Sequence, residues 1–160
     1  MPTDTDRIAA VKAKIEDLLT VHPGWMGVDP HGQFVLRRSH SSPEALFVAV
    51  GAAAYRDVIA VMVYSFTNLE VPPSPDLFRF LGMTTFLFGH IVAREEDGKL
   101  TIEEGGKLTV SVRHSLCGES LVPADLFFII SEIAENADAV ERAIRQQFGG
   151  RTRSETLGQK

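Results

Sequence analysis

The stretch PADLFFIISEIAENADAVERAIRQQF, residues 123–148, decides the fold. Within it Leu126, Ile130, Ile133, Ala137, Val140 and Ile144 fall within about 40 degrees of one line at 100 degrees per residue, the pattern of a long amphipathic helix. Pro123 with Asp125 opens the helix and Gly149-Gly150 stops it. A helix with one apolar stripe needs a second layer to cover it, and the residues upstream provide a sheet.

Nearest to the helix, Leu108, Val110, Val112, His114 and Leu116 alternate with Thr109, Ser111, Arg113 and Ser115, which predicts a strand over Leu108–Leu116 with one wet face. Val58–Phe66 is almost continuously apolar and β-branched, the composition of a central strand buried on both faces. Ala45–Val50 is expected to pair with it, Phe86–Ala93 reads as a further strand, and Leu100–Glu103 pairs back after the turn at Glu95–Lys99. Trp25–Val28 and Gln33–Arg38 form a hairpin about Asp29-Pro30-His31-Gly32, whose Pro and Gly suit a tight turn. Connections this short leave no room for parallel crossovers, so the sheet is mainly antiparallel.

Two more helices complete the pattern. Ile8, Val11, Ile15, Leu18 and Leu19 share one face of an N-terminal helix capped by Asp4, which His22-Pro23-Gly24 ends. Three prolines in Val71–Asp76 stop strand pairing. Ser74 as cap and Pro75 at the first helical position then start a short middle helix that runs to Leu81 and closes at Gly82. The expected fold is α+β: a mainly antiparallel sheet with the N-terminal helix, the short middle helix and the long C-terminal helix packed on one face. Residues 1–150 make one domain, and Arg151–Lys160 has the composition of a disordered polar tail.

Composition narrows the function. Sixteen Lys and Arg against 21 Asp and Glu leave a formal charge of −5, and the basic residues are dispersed, so no positive groove for nucleic acid is present. The longest apolar runs fall far short of the ~20 residues that cross a bilayer. The acidic start Met-Pro-Thr-Asp-Thr-Asp does not read as a secretory signal, and a lone Cys117 fits a reducing compartment, so the expected location is the cytoplasm.

The motifs that could carry chemistry are incomplete. His114 and Cys117 resemble a nucleophile and base, the alternative being a small-molecule-binding protein or enzyme built on them. In a strand, however, they point to opposite faces, and no Asn or Asp is placed to orient the imidazole. His22, His31, His40, His90, His114 and Cys117 lack the close pairs of a zinc site, so no metal or other cofactor is expected. Gly105-Gly106-Lys107 resembles the end of a phosphate loop, but position 101 is Thr and Leu108 stands where a hydroxyl would meet magnesium.

What stands out instead is surplus apolar side chain. Phe78, Phe86, Phe88, Phe127 and Phe128 exceed what one stripe per element needs, and they are the candidate partner-binding residues. Phe128 lies about 200 degrees from Leu126, on a face shared with Glu135, Arg142 and Gln146.

The run VPPSPDLFRFL (71–81), then FLFGHIVA (86–93), a charged turn, LTVSVRHSL (108–116) and a Pro-led long helix resembles actinobacterial proteins related to YbjN, a group similar to the type III secretion chaperone fold. The resemblance covers roughly Gly24–Gly149. It implies a bacterial homodimer that binds extended segments of client proteins without ATP or metal, and it transfers no catalytic residue. The chain departs from that pattern by an extra β pair around Trp25–Arg38 or Leu100–Glu103. The function expected is therefore a non-enzymatic protein- or peptide-binding module, chaperone-like or regulatory.

Leu157 is the one apolar residue in Arg151–Lys160, so truncation after Gly150 is expected to shift the melting temperature by no more than a few degrees, checked by thermal circular dichroism.

Overall fold

α1 (Asp4–Leu19) begins at a reciprocal cap. The Asp6 amide donates to Thr3 Oγ1 at 3.2 Å while the Thr3 amide donates to Asp6 Oδ2 at 3.0 Å. Thr3 is thus the cap, one residue before the expected Asp4, because only Thr3 can close both bonds. The computed structural model describes residues 2–37, 47–95 and 107–152. After α1 come β1 (Trp25–Val28), β2 (Phe34–Arg37), β3 (Phe47–Tyr55), β4 (Val58–Val71), α2 (Pro75–Met83), β5 (His90–Glu95), β6 (Leu108–Cys117), α3 (Pro123–Phe148) and β7 (Arg151–Thr152).

The strands lie in the order β1-β2-β3-β4-β6-β5, every neighbouring pair antiparallel, with β7 attached to β4 off this path. The fold is the expected α+β arrangement. In the β1–β2 turn, Asp29 Oδ1 accepts from the amides of His31 and Gln33, both at 2.9 Å, and Gly32 takes φ 73°. α2 starts as expected, with Ser74 Oγ accepting from the Leu77 amide at 3.1 Å. It runs through Gly82 to Met83, where the Thr84 amide and hydroxyl both return to the Phe80 carbonyl.

The core is the interface between the helices and one face of the sheet. All six residues of the α3 stripe are buried, joined by Ile129 and Ala134, and they meet Val61 and Val63 of β4 and Val110 and Val112 of β6. Val11, Ile15 and Leu19 of α1 cover the β3 side of the same face. Because 3.6 residues per turn and a period of two both resolve to one apolar side, the two layers join without further instruction.

Several expected boundaries move. β4 continues five residues past Phe66 to Val71. Its second face, Ala60, Met62, Tyr64 and Phe66, is half-buried rather than core, since the helices cover only one side. β3 extends to Tyr55 and lies between β2 and β4, so it is not an edge strand; residues 45 and 46 lie outside the described residues. Phe86–Gly89 is not strand: β5 starts at His90, because Gly89 at φ 92° turns the chain. Leu100–Glu103 lies outside the described residues. Arg151 and Thr152, assigned by composition to the tail, pair with Leu69 and Asn68.

Ile133 is fully buried between α3 and the sheet. Ile133→Ala is expected to lower stability by about 2–5 kcal/mol, read as a lower denaturant midpoint at unchanged m-value.

Candidate functional site

Two stretches of sheet are left without a helix over them. One is the outer edge of β5. It pairs with β6 in the register His90↔Arg113 to Glu95↔Leu108, and no described strand lies on its other side. The His90 imidazole is held below its usual pKa by burial, with the charges of Arg113 and His114 adding to the effect.

The segment before this edge is pinned to α3. A Cβ on Gly89 would stand 3.0 Å from Ile133 Cδ1 and 3.2 Å from the Arg113 carbonyl, so only glycine lets the chain pass so close. Asn136 Nδ2 donates to the Phe88 carbonyl at 3.2 Å. The Phe88 ring meets Phe128 edge-on at 5.1 Å and His114 at 6.3 Å. This contact leaves Phe128 48% exposed, and Leu87, the residue before Phe88, is 88% exposed.

The five candidate phenylalanines therefore divide. Phe88 and Phe128 come together beside the β5 edge. Phe86 is half-buried against the core. Phe127 turns to His22, with ring centres 5.7 Å apart, and Phe78 stands on α2, 44% exposed.

The second uncovered stretch is the open face of the sheet, where Gln33, Met62, Tyr64, Phe66, Thr109, Ser111 and Arg113 line a concavity of about 260 Å³. Tyr64 and Phe66 meet edge-on at 5.4 Å, and the Tyr64 hydroxyl donates to Gln33 Oε1. Sequence reasoning found the β6 half of this face through Thr109, Ser111 and Arg113. It missed the β4 half, whose signal was a Tyr and a Met alternating with Val61 and Val63.

His114 and Cys117 do not form a reactive pair. His114 registers with Val63 on the helix-covered face and Cys117 with Ala60 on the open one. Cys117 instead borders a structural clamp, its thiol donating to Glu119 Oε2 at 3.5 Å. The Glu119 carboxylate accepts from the Ile59 amide at 3.1 Å through both oxygens and from the Arg7 guanidinium, which also donates to the Asp57 carbonyl at 2.6 Å. One carboxylate thus ties α1, the β3–β4 hairpin and the β6–α3 connection. Among the described residues no three His, Cys, Asp or Glu side chains gather as a metal site, and no described helix is long and apolar enough to cross a membrane.

The described residues thus form an antiparallel sheet covered by helices on one face, with β5 at one end of the strand order and the Phe88–Phe128 contact at its start. Residues 6–156 match the family model described as T3SS (YopN, CesT) and YbjN peptide-binding chaperone 1, and the chain belongs to that family. No curated protein matches the chain.

The Ile59 amide bonds lower the pKa of Glu119 from 4.5 to about 2, with Arg7 and Cys117 adding to the effect against partial desolvation. The folded state prefers the ionised form. This stabilisation is therefore complete above pH 4.5 and is lost as pH falls through about 2. Glu119→Gln is expected to flatten the dependence of melting temperature on pH across that window and to lower the melting temperature at pH 7. Thermal scans from pH 2 to 7 on both proteins check this.

Proposed function

We propose that the chain captures an extended, apolar-rich segment of a client protein along the β5 edge, acting as a cytoplasmic homodimer without ATP or metal. The observation that carries this reading is the juxtaposition of an unpaired strand edge with Phe88, Phe128 and Leu87. Backbone pairing to β5 is indifferent to sequence, which suits a chaperone; the rings reward apolar client side chains and supply the selectivity. Family membership supports the peptide-binding half of the proposal. Phe78 on α2 and Phe127 against His22 are assigned to contacts between subunits, while Phe86 packs on the core. Neither nucleic acid nor membrane is a partner in this reading, in keeping with the formal charge of −5 and the dispersed basic residues.

Phe128→Asp tests it. Covering the exposed half of this ring is worth on the order of 1–2 kcal/mol, so capture of reduced, carboxymethylated α-lactalbumin is expected to weaken about ten-fold. Far-UV circular dichroism should be unchanged, since the ring is not core. Unchanged capture by a folded variant would remove the β5 edge as the client site.

A further inference from the structure

β4 is longer than the strand beside it. Its fourteen residues keep β6 on one side as far as Val71, but β3 accompanies it on the other side only from Tyr55 to its first described residue, Phe47, with the last register pair at Ala49↔Tyr64. Past that point the β3 side of β4 holds Arg151 and Thr152, paired with Leu69 and Asn68. Asn68 registers with Val110 of β6 as well as Thr152, so β6 and β7 flank it on opposite sides.

The occupant is weakly held. Among the described residues it pairs with β4 at two positions, beside the ten residues of β6 on the other side. The ion pair from Arg151 Nε to Glu70 Oε2 at 3.1 Å is shared with Lys107 at 3.4 Å and is partly exposed, where such pairs contribute little. The strand reaches β4 only because Gly149 and Gly150 adopt φ 75° and 86°, and a Cβ on Gly150 would stand 2.9 Å from Val71 Cγ2. β4 itself is irregular here, with register shifts on both sides of Asn68 and φ 55° at Glu70. An irregular strand edge filled by a piece of the same chain that two left-handed glycines steer into place is a site with a placeholder in it.

We propose that the β4 edge at Asn68–Leu69 is a second strand-binding site, and that Arg151–Thr152 occupies it in cis until an extended client segment takes the position. The proposal rests on the peptide-binding reading and adds a location and a regulator to it. The placeholder also defines the ligand: an extended segment with a basic side chain facing Glu70. Release of β7 frees the segment that follows α3, so occupation of the site alters the C-terminal end of the chain.

The probe is a fluorescein-labelled peptide of residues 149–157, GGRTRSETL. Fluorescence anisotropy is expected to give binding at least ten-fold tighter to the chain truncated after Gly150 than to the full chain. Full-length Gly150→Val, whose added side chain collides with Val71 and lifts β7, should bind like the truncated chain. A peptide carrying Glu in place of Arg151 should lose about ten-fold. Equal binding to all three chains, or binding to none, overturns the proposal. Should truncation unfold the protein, the Gly150→Val chain decides alone. The client reading fails separately: if the full chain ignores carboxymethylated α-lactalbumin while the opened chains bind the peptide, the placeholder stands and the chaperone reading falls. If lactalbumin is captured equally by all three chains and the peptide by none, the placeholder alone is lost.

Discussion

Burial of the α3 stripe against the inner faces of β4 and β6 is the contact on which the rest of the molecule depends. Ile130, Ile133, Ala137, Val140 and Ile144 have no other surface to leave water for, and Val61, Val63, Val110 and Val112 present the matching face. Each large aliphatic side chain so buried is worth about 1.5–3 kcal/mol, which makes this seam the principal source of stability. The seam also sets where β5 hangs, because among the described strands β5 pairs with β6 alone. The aromatic contact between Phe88 and Phe128 is a consequence: Gly89 and Asn136 fasten the segment before β5 to the same helix whose stripe holds the sheet.

Putting the principal helices on one face has a structural cost, since among the described residues no helix covers the opposite face and no strand flanks β1 or β5 on the outside. The two ends of the sheet treat this differently. At β1, a register shift between Trp25 and Gly27, with Gly27 at φ 118°, twists the edge and breaks its ladder. At β5 no such irregularity occurs in the register with β6. A regular edge next to exposed apolar rings invites pairing with another chain, which is a hazard in most proteins and an asset in one whose family binds peptides.

The strongest electrostatic contact among the described residues serves assembly. Glu119 is the clearest case: its low pKa marks a carboxylate bound by a backbone amide and a guanidinium, holding three separate elements together. Perturbed titration is common at active sites and equally a mark of structural ion pairs. Here the neighbours decide between them, because Cys117 beside the clamp and His114 across the sheet cannot meet.

Much was legible before any coordinates. Leu126 to Ile144 defined the long helix, alternation from Leu108 to Leu116 defined a strand with one wet face, and Ser74-Pro75 placed the start of α2. These are local matters of periodicity and backbone chemistry, carried by residues close in sequence. What escaped depended on long-range neighbours. Whether β4 is covered on one face or two turns on where helices 60 residues away pack, so Met62, Tyr64 and Phe66 read as core when they line an open concavity. Phe128 was identified as off-stripe from its angle alone, but its partner Phe88 sits 40 residues earlier in a stretch read as strand. The sequence by itself determined the three helices, the central strands and their amphipathic faces, because each follows from neighbours along the chain. Only the tertiary structure decided which strands are edges, which rings meet beside them, and that Arg151–Thr152 completes β4, because strand order and side-chain contact arise when distant segments share one core.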